Sequence, residues 1–377
     1  MLSPQELREQ CAKRLLASVE QASNLSAFIG LDGFVDEIIH LVDVRHNATS
    51  FERIPTIARL SERLAGAAGK STNIEAVVQR VKLGGNGPIM ANALCRFGVA
   101  VTYVGALGYP TLHTVFTDFA AHAEVHSIAP PGLTDAYEFE DGKVMMGKTT
   151  QLGEVTWQNI QLRYGRNKFA DRFFGSDLVG FVNWTMIPFM SDIWASIQHE
   201  LCPAHKSPRR KIFFDLADPE KRTHDDLRRA LKLIENFHTY FDVMLGLNEK
   251  EAWEVGAVLG FNHESRTRGA LLQLARDIRS ATNVDSLVIH PVSYAVAASA
   301  GCEAVVVDGP FIAKPLITTG AGDHFNAGYC LGKVLGFNDE LSLLVGVTTS
   351  GFYVRNAQSP CITDLAAMLR DWPDKDS

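Results

Sequence analysis

The feature that most constrains this chain is a regular alternation of apolar extended runs and helical segments through its middle. Leu178 to Trp184, Lys211 to Asp215, Val243 to Leu247 and Ser286 to His290 read as short strands. Between them, Ser191 to Leu201, Asp225 to Phe237, Glu249 to Val258 and Gly269 to Ala281 carry apolar residues at helical spacing. A strand that returns through a helix pairs in parallel with its predecessor, because the crossover brings the chain back to the same end. The expected core is therefore α/β: a doubly wound, mainly parallel sheet with helices on both faces.

The N-terminal half adds elements of another kind. Ala27 to Ile39 reads as strand, glycine turn and strand, and 50–68 as a helix with Ile54, Ile57, Leu60 and Leu64 on one face. Ile74 to Leu83 alternates in places like a half-exposed strand and runs into Gly84-Gly85-Asn86-Gly87. A helix from about Pro88 to Phe97, stopped by Gly98, and a buried strand from Val99 to Val104 follow. Ala136 to Met146 reads as a hairpin about Asp141-Gly142. The segments 74–83 and 134–155 do not suit a parallel core and are expected to form a small β-structure beside it. No repeat or low-complexity linker divides the chain, so 1–377 is read as one domain.

Composition excludes several function classes. The net charge is -7, whereas nucleic-acid binders carry a basic excess; the one dense basic cluster, Lys206 to Lys211, reads as a solvated loop. The six cysteines include no CxxC pair, and their spacing suits neither zinc nor a disulfide framework. Met1 to Glu20 carries Glu6, Arg8, Glu9, Lys13 and Arg14 where a signal peptide would be apolar, and no apolar run approaches the ~20 residues of a membrane helix. A cytoplasmic protein with neither nucleic acid nor membrane as partner is expected.

The chemistry is sought at glycine turns that precede helices. Thr318-Thr319-Gly320-Ala321-Gly322-Asp323 leads into a helix of small and apolar residues, after a strand-like run from Phe311 to Ile317. Such a turn presents free backbone N–H groups and the positive end of the helix dipole, which together hold phosphate. Asp323 would face that helix end, where a base can take a proton from a hydroxyl. A turn with a capping Asp is the alternative reading. No Gly-Lys-Ser/Thr follows, so this is not a Walker A loop. Gly85-Asn86-Gly87 is followed by Met90 where a dinucleotide fingerprint needs glycine, which disfavours a nicotinamide enzyme.

Three segments, Leu83-Gly84-Gly85-Asn86-Gly87-Pro88, Asn248-Glu249-Lys250-Glu251 and Thr318 to Asp323, resemble in order and spacing the motifs of the ribokinase-like (PfkB) family of carbohydrate and nucleoside kinases. The resemblance spans roughly residues 27–370. It implies a doubly wound sheet with a β lid over the substrate, here the segments at about 40–83 (strand 74–83) and 134–155. It implies ATP and Mg2+ as cofactors and a sugar or sugar-like substrate phosphorylated on a hydroxyl. Asp323 then matches the general base, and Gly320, Ala321 and Gly322 the anion hole. Asn248 and Glu251 match the pair that organises magnesium through water; these two residues also form a capping box. Gly84, Gly85 and Asn86 match the substrate loop. Asp36 matches the acid that binds substrate hydroxyls, with Asp32 competing for that role. Thr318, Thr319 and Asn356 fall on the nucleotide side. Lys148 and Arg166 are cations close to the lid, more simply read as surface residues. An exposed lid sheet would pair across a homodimer.

Departures from the family pattern bear on details. Ile317 stands where potassium-activated members carry Asp, which argues against potassium activation. Ile89 stands where the early motif often has Asn, and Gly108-Tyr109-Pro110 replaces a Gly-Asp-Asp. The alternatives to an ATP-dependent sugar kinase are a nucleoside kinase, an ADP-dependent sugar kinase, or a non-catalytic ligand-binding protein on the same fold.

Overall fold

A computed structural model describes residues 2–205 and 208–373. The strands in chain order are β1 (Ser26–Leu31), β2 (Phe34–Arg45), β3 (Phe51–Arg53), β4 (Ala76–Gly84), β5 (Ala100–Gly105), β6 (Glu124–Ser127) and β7 (Gly132–Glu138). They continue with β8 (Lys143–Lys148), β9 (Leu178–Phe181), β10 (Arg210–Asp215), β11 (Phe241–Asn248), β12 (Ser286–His290), β13 (Tyr294–Ser299) and β14 (Val305–Asp308). Nine of them form one sheet in the order β14-β13-β12-β11-β10-β9-β1-β5-β6. Every pair from β6 to β12 is parallel, and only β13 and β14 run antiparallel at one edge.

Alternation along the central strands sends side chains into two cores. Phe28, Ile212, Phe214, Val243 and Leu245 enter one, against the helices Arg166–Gly175, Met190–Glu200, His224–Phe237, Glu249–Leu259 and Arg268–Thr282. Ala27, Ile29, Phe213 and Met244 enter the other, against Asn86–Arg96, Ala321–Val334, Asp339–Asn356 and Ile362–Arg370. This is the doubly wound sheet expected from the sequence. The second sheet is β3-β2-β7-β8, with β4 also paired to β2. It closes over its own small core of Ile39, Leu41, Ile54, Leu60 and Phe139.

Two expected elements differ. The helix read over 50–68 is confined to Ile57–Ala65, and Phe51–Arg53 is a strand. Pro55 lacks the N–H a continuous helix would need. Ile54 donates its N–H to Leu41 (2.7 Å) and is buried in the lid core, while the Thr56 hydroxyl caps the helix at Arg59 N (3.1 Å). The run 311–317 is not a strand. Pro315 has no N–H to give, and Arg355 takes the carbonyls of Pro310 and Phe311 (2.7 and 2.8 Å). Beyond His290 the chain adds β13 and β14, which the pattern reading had left unassigned.

Among the described residues, no helix is long and apolar enough to cross a membrane.

Candidate active site

The turn before Asp323 is built by one residue conformation. Gly320 sits at φ +92°, a left-handed backbone that a side chain would strain, and the helix Ala321–Val334 starts immediately after it. Two side chains brace the turn from behind. The Tyr353 hydroxyl donates to Thr319 O (3.0 Å), and His324 Nδ1 lies 2.7 Å from Gly320 O. Since a carbonyl only accepts, Nδ1 carries the proton, and Nε2 accepts from the Ser359 hydroxyl (2.8 Å). Burial lowers His324 to about 4, so the ring is neutral and stacks on Tyr353.

The turn separates two cavities. Thr318, Ala321 and Gly322 line one of about 400 Å³, whose walls include Phe311, Phe325, Val347 and Val354. Thr319, Gly320 and Asp323 line the other, of about 580 Å³, together with Phe34, Asp36, Asn86, Thr134 and Met145. Asn248 borders both. The first is an apolar slot with a helix N-terminus at its end, which suits a base and its phosphates. The second is roofed by the lid and polar at its base, which suits a polyhydroxylated acceptor.

Asp323 is buried, and its Oδ1 accepts from Asn86 Nδ2 (2.9 Å). Burial raises its pKa to about 8; the Asn86 hydrogen bond opposes this, and the Asp32 and Glu251 carboxylates add to it. Asp32 is fully buried. Its Oδ2 accepts from Asn86 N (2.9 Å) and Asn183 Nδ2 (2.8 Å), and its Oδ1 from Gly87 N (2.9 Å) and the Tyr103 hydroxyl (3.2 Å). It therefore anchors the Gly85–Gly87 loop from below. Desolvation lifts Asp32 to about 6 in spite of these four donors. Asp36 instead lines the lid-side cavity, as does Thr134. A Cβ on Gly84 would collide with the Asp36 carboxylate, so glycine there makes room for it.

On the other side of Asp323, both oxygens of Glu251 accept backbone N–H groups, from Asp218 and Asn248 (2.8 Å each). Asn248 Oδ1 accepts from Glu251 N (3.0 Å), so the capping box is formed. Burial, then the nearby Asp215, raises Glu251; burial, then Asp323, raises Asp215. Asp215 accepts from Asn326 Nδ2 (2.7 Å). Four buried carboxylates, Asp32, Asp215, Glu251 and Asp323, thus lie close enough to act on one another, and Glu251 and Asp323 line the lid-side cavity. Lys221, which lines the lid-side cavity, is engaged with Asp218 (3.0 Å).

Such a group of acids favours a divalent cation, whose charge would hold them ionised. Among the described residues, no three His, Cys, Asp or Glu side chains are arranged to ligate a metal directly. Asn248 and Glu251 are the side chains that would hold a hydrated magnesium ion there, through its water, and the ion would neutralise phosphate charge.

The structure brings together all the residues expected at the site except Asn356. That side chain folds back to Phe352 O (2.9 Å), outside both cavities. Lys148 pairs with Asp135 and Arg166 with Glu200, as surface residues do. Sequence reasoning missed Asp215, Asn183, Asn326 and His290. Asp215 carried a usable signal: it ends a parallel strand, and ligands bind at the carboxyl ends of such strands. Asn183, at φ +63°, and Asn326 are placed by packing alone. His290, at the end of β12, is half-buried against Phe325 on the wall of the apolar slot, and desolvation lowers it to about 4.

Known proteins share this fold. The chain is 29% identical over 378 residues to a ketohexokinase of Haloferax volcanii, covering 99% of each. Its fold matches Arabidopsis thaliana ribokinase, solved with ribose and ATP, at a TM-score of 0.62 and 14% identity, over 92% of this chain and 98% of that one. It also matches the nucleoside kinase of Methanocaldococcus jannaschii (TM-score 0.59, 15% identity, 92% and 98%) and the adenosine kinase of Sinorhizobium meliloti (0.61, 19%, 92% and 99%). A family model described as prokaryotic ketohexokinase matches residues 4–372, and the chain belongs to that family.

Proposed function

We propose that this protein transfers the γ-phosphoryl group of ATP to a hydroxyl of a ketohexose, with Asp323 as the base. One observation carries the reading: Asp323 and Asn86 form a hydrogen-bonded pair at the turn where the apolar slot and the lid-roofed cavity meet. The sugar lies under the lid, with Asp36 and Asn86 accepting from and donating to its hydroxyls. Asp323 Oδ accepts the proton of the attacking hydroxyl. The N–H groups at Gly320 to Gly322 face the transferred phosphoryl group and stabilise its charge. ATP occupies the apolar slot, with Thr318 at its phosphate end. When bound with the nucleotide, magnesium supplies charge neutralisation at the phosphate oxygens. Asp32 does not touch substrate in this reading; it positions Asn86.

A coupled ADP-release screen across ketohexoses, aldohexoses, nucleosides and polyols tests the acceptor, with ATP and ADP compared as donors. Turnover confined to nucleosides, or to ADP as donor, would replace this reading with one of its alternatives.

Two further results are expected. Glu251→Gln keeps the side-chain volume but turns an NH2 group toward one of two backbone N–H donors. The magnesium concentration for half-maximal rate should rise about 10–100-fold, measured at fixed ATP. Potassium activation should be absent. The carbonyls of Thr319 and Gly320 are already capped by Tyr353 and His324, so a cation has little left to order. Rates in potassium and tetramethylammonium chloride of equal strength should agree; a severalfold gain in potassium would refute this.

In this reading two copies of the chain pair through their lids. β4 pairs with β2 on one side only and exposes Val78 and Val81, a free edge suited to a second lid.

A further inference from the structure

Away from the catalytic turn, the lid and its neighbouring helix carry three cations without counter-ions. Arg80 and Lys82 stand on β4, and Arg96 ends the helix Asn86–Arg96. Four other cations on the lid strands are paired: Arg45 with Glu75, Arg53 with Glu140, Lys143 with Glu138 and Lys148 with Asp135. Among the described residues, Arg80, Lys82 and Arg96 make neither an ion pair nor a side-chain hydrogen bond. All three line one cavity of about 600 Å³, whose other polar walls are Asn92, Gln358 and Ser359.

Burial of Lys82 disfavours its charged form, and Arg80 and Lys143 push the same way; Asp36 and Glu138 oppose them without forming an ion pair with it. Desolvating an ammonium group without a paired anion is costly. A chain of net charge -7 has carboxylates to spare, yet among the described residues none lines this cavity. The pairing of β4 with β2 sets Arg80 opposite Ile38 and Lys82 opposite Asp36; Arg80 is exposed and Lys82 half-buried. The cavity adjoins the acceptor cavity at Ile89, which lines both. His324 and Tyr353, the pair that braces the Thr319–Gly320 turn, form part of its wall.

We propose that this cavity is a second anion site, separate from the phosphate site at Gly320 to Gly322, and that it takes a phosphomonoester dianion. Two guanidinium groups and an ammonium match such a group in charge and in donors. Asn92 and Gln358 offer neutral donors beside them. The dianion has two sources, inorganic phosphate and the sugar phosphate that a kinase of this kind releases. The inference holds whichever acceptor the enzyme uses, because it rests on this trio and not on Asp323.

The test uses the full chain without nucleotide. Thermal stability is followed against sodium phosphate and, separately, a ketohexose phosphate, with sodium chloride at matched ionic strength as control. Wild type, Arg96→Ala and the double variant Arg80→Ala/Arg96→Ala are compared; both arginines are exposed, so cooperative unfolding should persist. Wild type is expected to show saturable stabilisation beyond the chloride control, with half-saturation raised about tenfold or more in the double variant and by less in the single one. Loss of response to both probes assigns the site to any phosphomonoester. Loss for the ester alone assigns it to the product. Equal half-saturation in wild type and double variant places the anion at the Gly320–Gly322 turn instead and overturns the proposal. So does the absence of any response in wild type beyond chloride.

Discussion

Asp323→Asn is expected to lower kcat by about 10²–10⁴-fold, the usual range for loss of a positioned general base. Asparagine keeps the shape and can still accept from Asn86 Nδ2, so the sugar KM should change little. The same substitution should make the protein more stable at high pH, and the sign follows from linkage. The folded-state pKa of Asp323 is raised from 3.8 to about 8. Its contribution to stability is complete below the unfolded value and is lost as pH climbs through the folded one. A neutral amide carries no such loss. The Tm gain of Asp323→Asn over wild type should therefore be small near pH 5 and reach roughly 2–4 °C near pH 9, read by scanning calorimetry without ligands. For wild-type activity the acid limb of kcat/KM should lie well above the ordinary carboxylate range, since the base must lose its proton to act. Near wild-type turnover in Asp323→Asn would remove Asp323 from the role of base.

The second large effect separates two acids that lie four residues apart. Asp32→Ala strips the acceptors from Asn86 N, Gly87 N and Asn183 Nδ2, while the Tyr103 hydroxyl keeps the backbone carbonyl of residue 32 (2.7 Å). Leaving buried donors without partners costs about 1–3 kcal/mol each. Partial relaxation, and removal of a desolvated carboxylate, offset some of this. A net loss of about 3 kcal/mol is expected, measured as a lower urea midpoint at constant m. Because the loop carrying Asn86 loses its anchor, kcat/KM should fall as well. Asp36→Ala should behave in the opposite way. Its carboxyl faces the acceptor cavity and is held above its ordinary pKa by burial. Sugar KM should rise at least tenfold, while the urea midpoint stays within experimental spread. If Asp36→Ala unfolds early and Asp32→Ala leaves stability intact, the two roles assigned here are reversed.

Much of the fold was legible because it rests on local pattern. The runs at 178–184, 211–215, 243–247 and 286–290 became neighbouring parallel strands, as the intervening helices required. The hairpin about Asp141-Gly142 formed, with Glu138 opposite Lys143. The errors also have local causes. Pro55 cut short a helix whose apolar spacing looked continuous. Around Phe311 the apolar content of a strand was present, but Pro315 and the Arg355 side chain removed the backbone partners a strand needs.

The site was legible where a motif also shapes the backbone. Gly320 needs its left-handed conformation, Asn248 and Glu251 need each other as a cap, and Asp323 follows the turn that makes the anion hole. Asn183, Asp215 and Asn326 left no such trace. None belongs to a motif, and each gains its role from a partner more than 100 residues away.

By itself, then, the sequence determined the doubly wound architecture, the separate lid segments and the glycine turn before Asp323. All of these follow from periodicity and backbone preference within a few residues. Only the tertiary structure decided that Asn86 meets Asp323 across 237 residues of chain, that Asp32 anchors while Asp36 faces the cavity, and that four carboxylates share one buried place. The physical reason is that a side chain's chemistry here is set by burial and by which groups surround it. Those are properties of how the two sheets and their helices pack, and no short stretch of the chain contains them.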